Sequence, residues 1–427
     1  MRQKVIALVD CNAFYISCER LFQATLQNKP VVVLSNNDGC FVAVSDEGKK
    51  LGLKRGQPFF QCQDIIKKHN VQVFSSNYSL YAEISARIMA ILKTFSPRIE
   101  IYSIDEAWLD LSEYSDESLT EYGKTIKARV TQYTGIPVSI GIAPNKCLAK
   151  IATQMVKAES SYEGVLDLTQ LAEDELDQML AKVPIEDVWG IGRKYALFLG
   201  NYGITTALHL KYADQQWIRR YLTVVGERIV LELQGISCLP LETQRPPKKG
   251  IMCSKSFGKD ITTLDELAEA VSTYTARAAE KLRQQDSLAA SLTVFIRTNA
   301  FNKTIPQYSN SFTCAIPFPT AFTPELIRHA LAGLRAIYKD GYRYKKAGVY
   351  LSHITPLDAV QPDLFGAFSV NRHEREARLM AIVDAINRVY GRDTLCLAIQ
   401  GTTREWAMQR RRLSQQFTSR WDEILTI

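Results

Sequence analysis

The sequence predicts an α+β fold whose N-terminal part is a ferredoxin-like, split βαβ sheet. Strand and helix signals alternate through residues 1–160 in the order strand–helix–strand–strand–helix–strand, which is the order that this motif requires. Residues 166–235 follow as short helices, and residues 250–353 repeat a strand–helix–strand pattern twice. We therefore expect several mixed modules along one chain.

The elements of the first part follow from the spacing of apolar residues. Asn77 or Ser79 is a suitable cap for the first helix, and Gly135 is a stop signal for the second. Residues 18–76 look like an insertion after the first strand, with a strand of their own at 30–34. The expected strands are residues 5–9, 99–103, 107–111 and 138–142, and the expected helices are residues 77–95 and 119–133.

The composition is that of an ordinary globular protein, with 46% apolar and 23% charged residues among 427. This length predicts about two to four domains. None of the nine cysteines lies in a CxxC pair, which argues against a disulfide scaffold or a structural zinc site and fits a reducing compartment. The N-terminus has no signal-peptide pattern and no apolar run is suited to a membrane, so we expect a cytoplasmic protein.

The net charge of +7 is concentrated in one block of the chain. Residues 236–353 hold 16 Lys and Arg against nine Asp and Glu, whereas residues 1–235 and 354–427 are close to neutral. A basic module favours a polyanionic partner such as nucleic acid. On charge alone, a solvated basic surface remains the alternative.

Three carboxylates are expected to meet at one edge of the sheet. Asp10 ends the first strand, Asp105 and Glu106 open the third, and these two strands of a split βαβ sheet are antiparallel neighbours. Neighbouring strands lie ~4.8 Å apart, so the acidic groups repel each other unless they bind cations. Two divalent ions, Mg²⁺ or Mn²⁺ rather than Zn²⁺, would fit such oxygen ligands and support phosphoryl transfer. The alternative is a turn capped by Asp10 beside a solvated hairpin tip.

Aromatic and basic side chains accompany this cluster. Phe14 and Tyr15 follow the first carboxylate, where their rings either lie against a nucleotide sugar or pack the insertion onto the sheet. Lys49, Lys150 and Lys157 are candidates for phosphate contacts, and the last two share one helix face because they are seven residues apart. Ordinary solvated lysines are the alternative.

Three stretches around these residues resemble the signature motifs of Y-family, lesion-bypass DNA polymerases. Four further stretches resemble the catalytic subunits of bacterial DNA polymerase V, and the resemblance covers essentially the whole chain. The signature stretches are Asp10–Tyr15, Tyr102–Ala107 and Gly141–Lys150, and the others are Asn36–Cys40, Phe74–Tyr78, Val188–Arg193 and Arg343–Val349.

The resemblance implies a metal-binding role for four of the matched residues. Asp10 and Asp105 match the metal-binding aspartates, and Glu106 matches the catalytic glutamate. The backbone carbonyl of Cys11 matches a further metal ligand. The implied cofactors are two divalent cations, Mg²⁺ with Mn²⁺ as a substitute.

The resemblance also implies contacts with the incoming nucleotide. Tyr15 matches the steric gate that excludes a ribose 2′-hydroxyl, and Phe14 matches its stacking neighbour. Lys49 and Lys157 match the basic groups on the triphosphate. Asp46 departs from the family, in which many members have a tyrosine that touches phosphate at this position.

The family fold is a right hand, so the modules of this chain take its names. Glycines of a helix–hairpin–helix turn in the thumb and lysines of the basic block are expected to hold the DNA backbone. The implied DNA contacts are Gly190, Gly192, Arg193, Lys248, Lys249 and Lys255. The expected modules are a palm (1–17 and 77–165), inserted fingers (18–76), a small helical thumb (166–235), a linker (236–249), an α/β little finger (250–353) and a C-terminal partner-binding tail (354–427).

The tail is expected to begin as a loop and to end in an Arg-rich helical stretch. Gln361, Leu364 and Phe365 resemble the short peptide by which bacterial polymerases dock on the sliding clamp. The run Arg410–Arg412 would bind DNA or an acidic partner, or would simply be solvated. A UmuD′-like dimer and RecA are further partners that the resemblance alone implies.

Together these features predict a DNA polymerase that extends a primer across damaged template. The resemblance further implies that this translesion synthesis is error-prone and serves SOS mutagenesis and DNA damage tolerance. Its substrates would be primer–template DNA and deoxynucleoside triphosphates. Two other functions remain possible from the sequence. One is another two-metal enzyme on the same palm, such as a nucleotidyl cyclase, and the other is a non-catalytic scaffold at stalled replication forks.

Overall fold

The computed structural model describes residues 4–114, 118–244, 246–359 and 370–424. The chain forms two compact units. The first unit contains Met1–Ser35, Cys40–Arg245 and Arg412–Ile427, and the second contains Asn36–Gly39 and Pro246–Arg411. All nine cysteines are free, as expected from their spacing.

The first unit contains eight strands and ten α-helices within the described residues. The strands are β1 (Ile6–Cys11), β2 (Val31–Leu34), β3 (Phe41–Val44), β4 (Gln72–Ser75), β5 (Ile99–Ile101), β6 (Glu106–Asp110), β7 (Val138–Ala143) and β8 (Val165–Asp167). The helices are α1 (Phe14–Phe22), α2 (Asp46–Lys50), α3 (Gln63–Lys68), α4 (Tyr78–Leu92), α5 (Leu119–Thr134), α6 (Lys146–Ala158), α7 (Glu173–Ala181), α8 (Arg193–Gly200), α9 (Ala207–Lys211) and α10 (Gln215–Leu233).

The larger sheet of this unit has the order β5-β6-β1-β7-β8, which confirms the split βαβ prediction. Strand β1 is central and pairs antiparallel with both β6 and β7. Its side chains alternate between two apolar layers because successive residues of a strand face opposite sides. One layer is closed by α4 and α5, and the other by α6 together with the helices that follow it.

The helix ends of this unit follow from polar side chains and one glycine. Asn77 caps α4 by accepting a hydrogen bond from the N–H of Leu80, and Asn145 caps α6 in the same way. Gly135 ends α5 with φ of 69°, a left-handed conformation that suits glycine. These residues therefore fix the start of α4 and α6 and the end of α5.

The inserted segment forms a smaller sheet of order β3-β2-β4. Strand β2 pairs antiparallel with β3 and parallel with β4. Its core is a separate apolar cluster that includes Val32, Leu34 and Phe41. Helix α1 runs without a break from Phe14 to Phe22, so it crosses the proposed boundary between residues 17 and 18.

The second unit has a four-stranded antiparallel sheet of order β11-β10-β12-β9. One face carries the apolar core shared with two of its helices, and the alternation of strands and helices confirms the repeated strand–helix–strand pattern expected for residues 250–353. The elements are β9 (Ile251–Ile261), α11 (Leu264–Arg283), β10 (Ser287–Thr298), β11 (Ser309–Thr320), α12 (Thr323–Ile337), β12 (Tyr344–Pro356) and α13 (Val370–Val389).

The prediction of a helical Arg-rich end is wrong. Residues 390–424 form turns and short 3₁₀ segments after α13 ends at Val389. Around Arg412 the backbone bonds outside its own segment: the N–H of Ser75 donates to the Arg412 carbonyl at 2.8 Å, and the Arg412 N–H donates to Ser75 Oγ at 3.0 Å. These bonds replace the ones that a helix would have made there.

A search of the described residues found no helix that is both long and apolar enough to cross a membrane.

Candidate active site

The register of the large sheet places two carboxylates face to face. Asp10, near the end of β1, lies opposite Glu106, the first residue of β6. Asp105 precedes β6, and its backbone carbonyl accepts a hydrogen bond from the N–H of Cys11 at 2.9 Å. The predicted convergence of the strand ends is therefore present in the structure.

Two lysines of α6 pair with these carboxylates. Lys157 Nζ donates to Asp10 Oδ1 at 2.5 Å, and Lys150 Nζ donates to Glu106 Oε1. Both lysines lie on one face of α6, as their spacing predicted. Their partners are the two carboxylates of the site, so α6 supplies positive charge that balances the site.

The Asp105 side chain is held differently. Ser103 Oγ donates a hydrogen bond of 2.5 Å to Asp105 Oδ1, and Ser103 Oγ accepts one from the Asp105 N–H. Among the described residues, no three Asp, Glu, His or Cys side chains stand close enough to form a metal site without rearrangement. Metal binding by Asp10, Asp105 and Glu106 therefore stays a prediction.

The pKa values of the two opposed carboxylates shift in opposite directions. Burial and the hydrogen bond with Glu106 together raise the pKa of Asp10 to about 7, against the lowering effect of Lys157. Burial also opposes ionisation of Glu106, but hydrogen bonds from Asp10 and Lys150 outweigh it and lower the pKa of that carboxyl. At neutral pH the pair therefore binds more protons than two solvated carboxylates would.

The turn after β1 places the rings of Phe14 and Tyr15 in different surroundings. Ala13 is the N-cap residue just before α1 and has φ of 44°, a left-handed conformation. Phe14 then enters the core at 3% exposure, whereas Tyr15 stays partly exposed and stacks on Tyr81 with ring centroids 4.4 Å apart. The ring of Tyr78 meets Tyr15 edge-on at 6.3 Å. Tyr15 is thus the ring that a nucleotide can reach, with aromatic support beneath it.

Lys49 pairs with a carboxylate outside the site and not with Asp10, Asp105 or Glu106. It lies on α2 and pairs with Asp46 at 2.8 Å, and both side chains are largely exposed. Sequence analysis overlooked Arg55, whose positive charge acts on the phenol of Tyr15 and lowers its pKa against the larger effect of burial. A basic residue in an irregular segment carries no periodic signal, so spacing offered no way to single it out.

The glycine turn of the helical region has the expected backbone. Gly190 has φ of 96°, and a Cβ there would come within 2.7 Å of Ile229. Gly192 caps α8, which begins at Arg193. Glycine at position 190 is thus required by both conformation and space, while DNA binding by Gly190, Gly192 and Arg193 stays a prediction.

The open face of the second unit's sheet carries basic residues that sequence analysis overlooked. Arg297 of β10 and Lys346 of β12 are directly opposite each other in the antiparallel register. They alternate with the core residues Val294, Ile296 and Ala347 and therefore face away from the helices. Like charges opposite each other are unfavourable unless an anion lies between them. This pair is therefore a candidate for binding the DNA backbone. The charge count located the basic block but could not single out these two residues within it.

The predicted DNA contacts of the second unit differ in their surroundings. Lys248 and Lys249 are exposed. Lys255 lines a cavity of about 510 Å³ with Arg277 and Lys281 of α11, on the face of the sheet that bears helices. Burial, followed by the neighbouring arginines, lowers the pKa of Lys255. Its assignment to DNA stays a prediction.

The expected clamp-binding residues fall in the segment 360–369. Gln361, Leu364 and Phe365 lie outside the described residues. Their role rests on sequence alone and stays a prediction.

Comparison with protein families identifies three regions. The profile "impB/mucB/samB family" matches residues 9–154, and "impB/mucB/samB family C-terminal domain" matches residues 248–364. The profile "Domain of unknown function (DUF4113)" matches residues 377–427. The first two profiles together cover more than half of the chain.

Curated relatives extend over the full length. Protein UmuC of Salmonella typhimurium is 41% identical over 425 residues, covering 99% of this chain and 100% of that protein. Protein ImpB of Salmonella typhimurium is 41% identical over 421 residues, with 98% and 99% covered. DNA polymerase IV 1 of Bacillus subtilis is 27% identical over 402 residues, with 91% of each covered.

A solved structure shares the fold. A Y-family DNA polymerase chimera of Dbh and Dpo4 superposes with a TM-score of 0.64 over 82% of this chain and 99% of that one, at 21% identity. The family profiles and the full-length relatives show that the chain belongs to the impB/mucB/samB family, with the fold of a Y-family DNA polymerase, as its motifs predicted.

Proposed function

We propose that the protein is an error-prone translesion DNA polymerase that adds deoxynucleotides to a primer across damaged template. The observation that carries this proposal is the placement of Asp10 opposite Glu106 at one end of the sheet, in a chain 41% identical to Protein UmuC. Primer extension on templates with and without a lesion tests it directly. The proposal would be overturned if the protein failed to extend a primer under every combination of magnesium, clamp and partner subunits.

The side chains at this edge fit divalent cations. Asp10, Asp105 and Glu106 offer carboxylate oxygens, and the carbonyl of Cys11 adds a neutral oxygen, which is a donor set that Mg²⁺ and Mn²⁺ prefer. Asp10 is buried and lies directly opposite Glu106, so a cation between them would relieve the repulsion of two charged carboxylates. The chemistry that two such ions supply is activation of the attacking hydroxyl and stabilisation of the departing pyrophosphate.

The protein's own lysines have a second role in this scheme. Lys157 and Lys150 neutralise Asp10 and Glu106 here. A cation held by these carboxylates would compete with both lysines, which would then be free to bind the triphosphate of the incoming nucleotide. Lys49 would join them only after leaving Asp46. Tyr15, partly exposed above Tyr81, is the ring that the nucleotide sugar would meet.

No observation favours a nucleotidyl cyclase or a scaffold. The relatives match this chain through the helical region and the basic second unit as well as the palm. A cyclase needs no such DNA-binding surface, and a scaffold needs no such carboxylates. We further propose a cytoplasmic location with association to the nucleoid, and partnership with a UmuD′-like dimer and RecA. Reconstitution of extension with and without these partners tests this part.

The proposed contacts with the DNA backbone predict how DNA affinity depends on salt concentration. Replacing Arg297 and Lys346 together with alanine should reduce the slope of log affinity against log salt by ~0.9 for each phosphate that the variant no longer neutralises. The physical reason is that each neutralised phosphate releases counterions from the DNA. Fluorescence anisotropy across a salt series measures the slope. Alanine at the exposed Lys67 and Lys68 of α3 is the matched control, and an equal change in that control would remove the basis for the assignment.

The clamp motif gives a second prediction. Alanine at both Leu364 and Phe365 should abolish stimulation by the sliding clamp and leave clamp-free extension unchanged, because the motif is expected to act only as a tether. A peptide covering residues 356–368 should compete with the chain for the clamp. Alanine at Leu357, outside the motif, is the control. If the peptide does not bind the clamp at tens of micromolar, the assignment of a clamp-binding motif is wrong.

A further inference from the structure

The C-terminal segment, residues 412–418, is tied to the first unit by several specific contacts. Asn77 Nδ2 donates to Ser414 Oγ at 3.0 Å and to the Gln415 carbonyl at 3.2 Å. The ring of Phe417 stacks on Phe22 with centroids 4.7 Å apart, and Phe417 belongs to the apolar core of the palm sheet. The segment is therefore an integral part of the first unit.

A serine of this segment and a tyrosine of α4 both donate hydrogen bonds to one buried carboxylate. Glu19 of α1 is fully buried, and its Oε1 accepts hydrogen bonds from Ser414 Oγ at 3.2 Å and from the phenol of Tyr81 at 2.5 Å. Its Oε2 has no hydrogen-bond partner within the described part of the chain. A buried carboxylate is costly unless donors satisfy it, so these two hydroxyls are what keep Glu19 in place.

The same set of contacts reaches the surface at Tyr15. Tyr81 is fully buried, and its ring lies almost parallel to that of Tyr15, at 16° and 4.4 Å between centroids. The phenol of Tyr81 is fixed by Glu19 at one end while its face supports Tyr15. Any shift of Glu19 therefore moves the surface on which Tyr15 rests, since packed rings have no spare volume.

We propose that the C-terminal segment positions the sugar-selecting ring, through Ser414, Glu19 and Tyr81, and so helps the enzyme to reject ribonucleoside triphosphates. Ser414 and Glu19 are positioning residues that act through Tyr81 and do not touch the nucleotide. This inference rests on the proposed role of Tyr15 as the steric gate. It gives a specific task to part of the region that matches a domain of unknown function.

The directions of the hydrogen bonds support a relay with one fixed arrangement. The Asn77 amide can only donate to Ser414 Oγ, which leaves the Ser414 hydroxyl hydrogen for Glu19. Burial outweighs the lowering effect of the hydrogen bonds from Tyr81 and Ser414, and the pKa of Glu19 is raised to about 7. Removing the Ser414 hydroxyl would therefore weaken the hold on the carboxylate and on the ring of Tyr81 that it fixes.

Single-nucleotide insertion by the full-length protein, with whatever clamp and partner subunits its activity requires, tests the proposal. The measured quantity is the ratio of kcat/KM for a deoxyribonucleotide to that for the matching ribonucleotide. Ser414→Ala should lower this ratio by about tenfold, the value of one well-placed hydrogen bond. Ser414→Thr keeps the hydroxyl and should restore the ratio. The ratio compares two substrates on one preparation, so a partly unfolded sample does not change it.

Matched variants separate a relay from a general packing effect. Ser419→Ala removes a hydroxyl from the neighbouring turn, where it donates to Gln416, and it should leave the ratio unchanged. In a Tyr81→Phe background, Ser414→Ala should have no further effect, because the relay is already cut. A Ser414→Ala ratio equal to the parent's, or an undiminished effect in the Tyr81→Phe background, overturns the inference. An unchanged ratio in Tyr15→Ala would instead overturn the gate itself.

Discussion

Glu106→Gln, Asp105→Asn or Asp10→Asn should each reduce primer extension by roughly a thousandfold or more, because each change would weaken the proposed metal-assisted phosphoryl transfer by several kcal/mol. DNA affinity should stay close to that of the parent, since the proposed contacts with the DNA backbone are made by basic residues of the second unit. Extension of a labelled primer with magnesium measures the first effect, and fluorescence anisotropy measures the second.

The matched control for these variants is Glu113→Gln. Glu113 is an exposed carboxylate beyond the opposite end of β6, where it pairs with Arg98 at 3.2 Å. An exposed pair of this kind contributes at most about 1 kcal/mol to stability, so this variant should extend primers normally. If any of the three site variants keeps near-parental turnover, the two-metal assignment is wrong.

Sequence reasoning succeeded where one rule fixed the geometry. The antiparallel pairing of the first and third strands places Asp10 opposite Glu106, and the structure has that register. The period of seven between Lys150 and Lys157 placed both on one face of α6. Neither rule identifies the partner of a side chain, which is why the pairing of these lysines with carboxylates was not predicted.

The spacing of residues in the sequence could not predict contacts between distant parts of the chain. Tyr81 lies on an apolar helix and gave no sign of supporting another ring, and the bond between Glu19 and Ser414 joins residues 395 positions apart. The Arg-rich end suggested a helix because its local composition allows one. Pairing with Ser75 outweighed that preference, as tertiary contacts often do.

Tyr15→Ala should raise ribonucleotide incorporation by roughly a hundredfold, since a steric clash with the 2′-hydroxyl is worth several kcal/mol and each 1.4 kcal/mol is tenfold. The ring is held from below by Tyr81 and from the side by Tyr78, so it cannot retreat from a larger sugar. Removing it leaves space where the clash occurred. The ratio of kcat/KM for the two sugars at a single template position measures the change.

Two neighbouring variants show whether the effect belongs to the ring at position 15. Tyr15→Phe keeps the ring and should keep most of the discrimination. Phe14→Ala should instead destabilise the protein by about 3–5 kcal/mol, because that ring is in the core at 3% exposure and its removal leaves a cavity. It should therefore lower the melting temperature and total activity while leaving the sugar ratio of the folded enzyme near the parent's. If Phe14→Ala alters sugar choice and Tyr15→Ala does not, the gate is the buried ring, and the turn through Ala13 presents the nucleotide with a different face.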